Sequence, residues 1–430
     1  MSTGAPPTER RVLGVFDGTL VTVGAMVGSG IFATPSLVAR AVHRLDLALL
    51  VWGAGAGLSL LGAFALAEPG AALPGRGGLS AILRRAFGAR ASFAFGWTMT
   101  LVLVPSSVAF FAGVTAQHLA AVIPWSAPTL TSLVIAAVAA VNLLGLQPAA
   151  RLQSLVTLVR VAALAAVAVA ALVLPAAPAP AAPVAAVSWT ALLAAMVPVL
   201  WAYDGWIDLT SLAAEVRAPG RTIPRALIAG VAIVTALYLL VVVAFHRALS
   251  TATLAAAEAP AALLGARLAG ATGARALVAL VALSTFGGCL IGLVSGTRVV
   301  AALGDDAPPL RALSRLDRRG VPAAATALTA GLALAYARVE LFGKMAEVFV
   351  VGAWPFYALG AWAALRLRRR EPDLARPYRT PGSPWTVWAF LAVTAAMLAS
   401  FARESPRPTL LSLAVVALGM IAYRAPRGGP

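Results

Sequence analysis

Gly24-Ala25-Met26-Val27-Gly28-Ser29-Gly30-Ile31-Phe32-Ala33-Thr34-Pro35 sits inside an apolar run from Val12 to Val42, yet it holds three glycines in seven residues and a proline soon after. The run exceeds the ~20 residues that a bilayer-spanning helix needs. A helix that only had to span would not carry these glycines, because each costs about 1 kcal/mol relative to alanine in a helix interior. In lipid, a broken hydrogen-bond ladder is tolerated only where the freed N–H and C=O groups face protein or a water-lined cavity. The stretch therefore reads as a spanning helix that is interrupted, with the interruption as the candidate binding site.

Working outward, the 430 residues are 60% hydrophobic and 11% charged, with a mean hydropathy of +0.89. Soluble domains carry about 25% charged residues, so the composition is that of a polytopic membrane protein. The formal charge of +17 would point to nucleic acid in a soluble chain. Here the arginines fall between apolar spans and read as topology signals, so no nucleic-acid partner is expected. One cysteine, Cys289, and three histidines exclude a disulfide framework and argue against a Cys/His metal site. No cofactor is expected. Arg10-Arg11 before the first apolar run has no small-residue cleavage site after it, so the first span is read as retained.

On a 20-residue template about twelve spans are expected, at roughly 12–41, 46–67, 91–122, 129–147, 151–174, 189–214, 224–246, 275–302, 321–338, 342–366, 384–402 and 407–424. Both termini then share a side. With the N-terminus inside, the inner connections hold about 22 Lys and Arg against 9 outside. The positive-inside rule then places both termini in the cytoplasm and the protein in a cytoplasmic membrane. Gly77 to Gly88 reads as an interfacial helix with Arg84 and Arg85 on its polar side. Thr251 to Gly270 suits one or two short helices over the outer mouth, and Pro175 to Pro183 an extended Pro/Ala spacer. The sixth span is interrupted like the first: Trp201-Ala202-Tyr203-Asp204-Gly205-Trp206-Ile207-Asp208 puts two acids and a glycine into an apolar helix. Two interrupted helices, each opening a block of five spans, are the sequence sign of an inverted-repeat transporter with a midplane site. The expected organisation is one permease domain over 1–430, with repeats at 12–174 and 189–366 and two extra helices at 384–424.

These motifs identify a resemblance. The chain resembles the amino-acid/polyamine/organocation permeases, and within them the L-type amino-acid transporter branch and its bacterial relatives. The resemblance is carried by Gly24 to Pro35 and by Trp201-Ala-Tyr-Asp-Gly-Trp206 running into Ala214-Glu-Val-Arg-Ala-Pro-Gly-Arg-Thr-Ile-Pro-Arg-Ala226. Weaker support comes from Ala67-Glu68, Gly77-Gly78, Asn142-Leu-Leu-Gly145 and Ser284-Thr-Phe-Gly287. It implies an all-α membrane fold of two inverted five-helix repeats plus two helices, with an amino acid held between broken spans one and six. The residues agree. N–H groups around Val27, Gly28, Ser29, Gly30 and Ile31, at the positive end of a half-helix, suit a carboxylate. Carbonyls near Val199 to Ala202 suit an ammonium group, with Trp201, Tyr203 and Gly205 beside them. For the glycines the competing reading is close helix packing, which is preferred at Gly14, Gly18, Gly292 and Gly296. Gly28-x-Gly30-x-x-Ala33 also matches a dinucleotide fingerprint, but that motif needs a βαβ unit, which an all-helical chain does not offer.

The resemblance casts Trp201 as a gate over bound substrate, with Trp206 beside it; an ordinary core aromatic is the alternative. Asp204 is expected to bind freed N–H groups of the second half-helix rather than substrate. Arg160 stands where many relatives carry a lysine thought to lie between spans one and eight. Arginine stays protonated, so proton exchange through this residue is not expected. A fixed cation at the span-one break and an arginine snorkelling to the interface remain the two readings. Ser284 and Thr285 are candidates to meet the span-one carbonyls or Arg160. Leu290 suggests an apolar pocket wall, and no acid is expected to face the side-chain pocket. The expected function is secondary transport of amino acids, neutral ones first, by alternating access. A polyamine or organic-cation permease and a proton-coupled symporter are the alternatives. An enzyme is not expected, since H-E-x-x-H and G-x-S-x-G are both missing.

Overall fold

The computed structural model describes residues 11–120, 123–178, 187–338 and 345–423, with side chains described throughout except at 345–348, 350 and 404. Every regular element among them is helical: α1 Val15–Met26, α2 Gly30–Val42, α3 Leu45–Ala72, α4 Leu79–Phe87, α5 Ala89–Thr98, α6 Val104–Leu119, α7 Ala127–Leu143, α8 Leu146–Val173 and α9 Trp189–Tyr203. The order continues with α10 Asp208–Ser211, α11 Pro219–Leu249, α12 Thr251–Ala256, α13 Pro260–Asp306, α14 Ala323–Tyr336, α15 Met345–Arg370, α16 Trp385–Glu404 and α17 Pro406–Ala422. Six stretches are long and apolar enough to cross a membrane: Leu45–Ala72, Ala89–Leu119, Leu146–Val173, Pro219–Leu249, Pro260–Asp306 and Trp385–Arg403. The pair α1 and α2, bent by 45° at its break, makes a seventh. Helices α7, α9, α14 and α17 are apolar but shorter, 10–17 residues. The expected start of the tenth span at 342–344 and most of the Pro/Ala spacer lie outside the described residues.

Local chemistry explains where the helices bend. A π-helical turn at Met99–Leu103 joins α5 to α6. Pro105 follows it and has no N–H to give to the Leu101 carbonyl one turn back. That carbonyl instead accepts the Tyr336 hydroxyl at 2.5 Å. Helix α13 kinks at Ala269–Gly270, where Gly270 takes φ +57, so its first part is separated from its spanning part. Together with α12 this gives the short helices expected over 251–270. The expected interfacial helix is α4, whose Leu79, Ile82, Leu83 and Ala86 are buried while Arg84 and Arg85 are exposed. Small residues let neighbours close in. A Cβ at Gly18 would lie 3.1 Å from Ala226 Cβ, and one at Gly230 2.5 Å from Thr22, which brings α1 against α11.

At the arginine-rich end, buried Glu68 on α3 ties down the connection between α15 and α16. Its carboxylate accepts from Arg368 Nε at 2.7 Å and Nη2 at 2.5 Å, and from the Thr380 N–H at 2.7 Å. Arg376 stands 3.6 Å away. Burial beside Glu68 pushes the nearby Tyr378 phenol up to about 12, so it stays protonated at any physiological pH. Arg84 pairs with Asp306 at 2.6 Å and Arg85 with Glu371 at 2.8 Å, fastening α4 to the ends of α13 and α15. Removing one partner of a buried pair strands the other charge and costs about 3–5 kcal/mol. Arg368 keeps some solvent contact, so Glu68→Gln is expected to destabilise by about 2–3 kcal/mol. Thermal unfolding of the detergent-solubilised protein measures this, and an unchanged midpoint would show that the cluster does not anchor the connection.

Candidate functional site

Helix α1 ends at Met26 and α2 begins at Gly30, so Val27, Gly28 and Ser29 lie between two half-helices. The carbonyls of the first half are answered by side chains from two other helices. Arg160 on α8 is fully buried and donates through Nη2 to the Gly24 carbonyl and through Nη1 to the Ser284 carbonyl at 2.9 Å. Ser284 on α13 passes its hydroxyl to the carbonyls of Val27 at 3.0 Å and Gly28 at 3.1 Å. Space for the guanidinium depends on glycine. A Cβ at Gly24 would lie 2.4 Å from Gln153 Nε2 and 2.5 Å from Thr157 Oγ1, and one at Gly287 2.6 Å from Arg160 Nη1. Arg160 is therefore a fixed cation at the first break and does not snorkel to an interface.

The second break follows α9. Gly205 has φ +101, which only glycine adopts without strain, and a Cβ there would meet the Ala25 backbone at 2.7 Å. A Cβ at Gly30 would lie 2.8 Å from Ala202 Cα. The two breaks thus touch, backbone to backbone, at two glycines. Tyr238 of α11 fastens them together, its hydroxyl lying 2.8 Å from the Met26 carbonyl and 3.0 Å from the Ala202 carbonyl. Thr34 reaches the Pro198 carbonyl at 3.3 Å. The Trp201 carbonyl accepts the Asp204 N–H at 3.2 Å. The carbonyls of Trp201 and Ala202 are therefore occupied by the protein itself.

Against the breaks lies a cavity of about 90 Å³. The backbone of Gly28, Ser29 and Gly30 forms one wall, where the first N–H groups of α2 have no partner within the helix. Opposite stand Gly288, Gly292 and Ser295 of α13. Aromatic rings close one side: Trp201 stacks on Phe111 at 6.2 Å and meets Phe349 edge-on at 5.1 Å. Phe111 fits there because neighbouring positions are glycine, a Cβ at Gly28 coming within 3.1 Å and at Gly288 within 3.3 Å of its ring. Leu79 at the start of α4 reaches the cavity from elsewhere. It is brought in by Gly77 and Gly78, whose left-handed backbone packs on Ala302 and on the Thr210 carbonyl. Asp204 and Asp208 also line the cavity. Tyr357 and Ser295 line the same cavity, and Asp204 Oδ1 has no hydrogen-bond partner. This corrects the expectation that no acid faces the pocket.

Of the residues singled out from the sequence, Gly28, Ser29, Gly30, Trp201, Asp204 and Gly205 line the cavity. Val27, Ile31, Val199, Ala202 and Tyr203 are buried directly behind it. Trp206 is fully buried against Tyr357 at 5.7 Å and does not reach the cavity. Thr285 bonds its own helix and Thr115, and Leu290 is buried off the cavity wall. Helix α10 starts after Ile207 and has no side-chain cap there. Gly292 and Gly296 both line the cavity; nothing lies within 4 Å of a Cβ at Gly292, whereas one at Gly296 would run into the Val104 side chain. Sequence reasoning missed Tyr238, Phe111, Ser107, Phe349 and Tyr357. A phenol inside the apolar run 224–246 was the available signal for Tyr238, since its hydroxyl must find a partner in lipid.

A second buried cation ties the end of the second break to the helices opposite. Arg298 of α13 donates to Glu215 Oε1 at 3.0 Å and to Asn142 Oδ1 of α7 at 3.1 Å. Asn142 donates to Thr326 of α14 at 2.9 Å. The Glu215 carbonyl takes N–H groups of Val12 and Leu13 at 2.8 and 3.1 Å, and Leu13 pairs with Val216 in a single β-bridge.

Residues 13–422 match the family model described as Amino acid permease. Over 386 residues the chain is 27% identical to the b(0,+)-type amino acid transporter 1 of Mus musculus, covering 86% of this chain and 79% of that protein. It is 26% identical over 384 residues to the Serine/threonine exchanger SteT of Bacillus subtilis (strain 168), covering 87% of each. It is 27% identical over 408 residues to the Asc-type amino acid transporter 1 of Mus musculus, covering 89% and 76%.

The carbonyl-binding side chains give a stability test. Tyr238→Phe strips the Ala202 carbonyl of its donor and leaves the Met26 carbonyl only the Gly28 N–H at 2.9 Å, and is expected to cost about 1–3 kcal/mol. Arg160→Leu strips the Gly24 and Ser284 carbonyls together and is expected to cost more, with Arg160→Lys in between. Thermal unfolding in detergent ranks the three; equal midpoints for wild type and Tyr238→Phe would remove the bridge from this account.

Proposed function

The chain belongs to the amino acid permease family, and from that premise we propose that it exchanges amino acids across a cytoplasmic membrane by alternating access. The observation that carries this reading is the meeting of two interrupted helices at one cavity. Unpaired N–H groups at Ser29 and Gly30 suit a substrate carboxylate. Asp204 suits an ammonium group. The cavity measures about 90 Å³, and on that small size the reading puts small neutral amino acids first. Trp201, Phe111 and Phe349 form the closure on one side, and Leu79 with the Gly78–Thr210 contact forms it on the other. Transport then requires the two sets to part in turn while Tyr238 keeps the breaks moving together.

The same reading takes the fold as twelve spans in two inverted repeats of five, with α16 and α17 outside them and both termini cytoplasmic. The break after α1 and the break after α9 support the repeat. The shorter helices α7, α9, α14 and α17, together with α15, supply the spans beyond the seven long ones. Arg160 acts as the fixed cation of an exchanger, because arginine does not give up its proton.

A second reading has one observation in its favour. Asp204 and Asp208 line the cavity without an ion-pair partner among the described residues, which suits a cationic amino acid or organic cation, or a carried proton. Proteoliposomes loaded with unlabelled amino acid separate these. Uptake of labelled serine or alanine that depends on internal amino acid and ignores an imposed proton gradient is the expected result. Uptake of lysine or a polyamine alone would favour the second reading, and uptake driven by the gradient would make the protein a symporter. Gly30→Ala, whose Cβ would strike Ala202, is expected to reduce exchange to background; full activity would displace the site from the breaks.

A further inference from the structure

A groove outside the transport cavity lies between α6, α7 and α13, with a volume of about 670 Å³. That is within the ~300–1,000 Å³ range of small-molecule sites. No residue of this groove lines the cavity at the breaks. Its walls are helix faces at regular spacing: Leu130, Val134 and Ala137 from α7, and Val278, Ala282 and Phe286 from α13. Small side chains open the space, and Leu133 at the rim is exposed. Its polar lining is Thr115 and His118 from the last turns of α6 and Arg275 from the first turns of the spanning part of α13.

We propose that this groove holds one acyl chain of an anionic phospholipid, with Arg275 receiving the phosphate. Two observations converge. The first is length: from Arg275 to Phe286 is eleven residues, about 16 Å of helix, and half of a ~30 Å hydrocarbon core is about 15 Å. The α13 wall of the groove is therefore as long as one leaflet is thick. The second is charge. Arg275 is exposed, its Nε turned to the Ala271 carbonyl at 3.3 Å, and it has no acidic partner among the described residues. No Asp or Glu lines the groove. An arginine with free N–H groups above an apolar slot matches a phosphate above a hydrocarbon tail. Thr115, which lines the groove, also bonds to Thr285 at 2.8 Å. Thr285 adjoins Ser284, which holds the carbonyls of the first break. A lipid seated here presses on the helix that supports that break.

The test uses detergent-purified full-length protein titrated with phosphatidylglycerol or phosphatidylcholine and analysed by native mass spectrometry. One phosphatidylglycerol is expected to be retained in preference to phosphatidylcholine. R275Q is expected to lower its retention about tenfold. A279F, which fills the groove and keeps the arginine, is expected to lower it as well. R403Q, a basic residue outside the groove, is expected to change nothing. Equal retention of the two lipids, or unchanged retention in both R275Q and A279F, would overturn the proposal. So would a dimer in detergent that A279F dissociates, which would assign the groove to a second copy of the chain. Should A279F fail to fold, R275Q alone decides. The exchange of amino acids by the same preparations is measured separately, so failure of lipid binding and failure of transport are distinguishable.

Discussion

A backbone carbonyl inside a bilayer has no water to turn to, and the whole centre of this protein is arranged around a few that have lost their helix. Breaking α1 frees the carbonyls of Gly24, Met26, Val27 and Gly28, and each is met by Arg160, Tyr238 or Ser284. The solution is reciprocal. A buried guanidinium without an acidic partner is expensive in lipid, and the carbonyls that need a donor are what make it tolerable. Neither the break nor the arginine is stable alone. Gly24 and Gly287 belong to the same arrangement, because any side chain at either would occupy the space of the guanidinium.

The site that results is built largely from backbone. The two breaks come into contact where Gly30 of α2 meets Ala202 of α9 and Gly205 meets Ala25 of α1, and the side chains that finish the cavity arrive from α6, α10, α13 and α15. Backbone donors and acceptors recognise what all amino acids share. The side chains around them, from Trp201 and Phe111 to Asp204 and Asp208, are left to discriminate among side chains. Away from the cavity, two charged clusters hold the connections. Glu68 fastens the segment between α15 and α16, and the Arg298–Glu215–Asn142 network fastens the end of the second break across to α7 and α13.

Much of this was legible in the sequence because lipid punishes exceptions. Glycines at 28 and 30 and the Asp204-Gly205 pair stand out in apolar helices, and both breaks fall there. Arg160 stands out for the same reason, and its position between α1 and α13 follows the resemblance. What could not be read was which of several plausible neighbours faces inward. Trp201 and Trp206 are five residues apart and equally aromatic, yet one lies at the cavity and the other in the core, since the break between them turns the chain. Asp208 and Leu290 show the same limit: whether a residue lines a wall depends on helix rotation, which an apolar-all-round helix does not encode in its pattern. Tyr238 contacts both breaks from a helix that carries no break of its own, so no local motif announced it.

The fit of Phe111 against Gly28 and Gly288 ties three positions from three separate helices into a single volume. A side chain at either glycine would press on the ring at 111, which must shift or shrink, and a smaller ring at 111 leaves Trp201 without its stacking partner. Related chains should therefore vary at these positions together. Where a relative has alanine or serine in place of one glycine, its residue at 111 should have shrunk to match, and with it the shape of the space offered to the substrate's side chain.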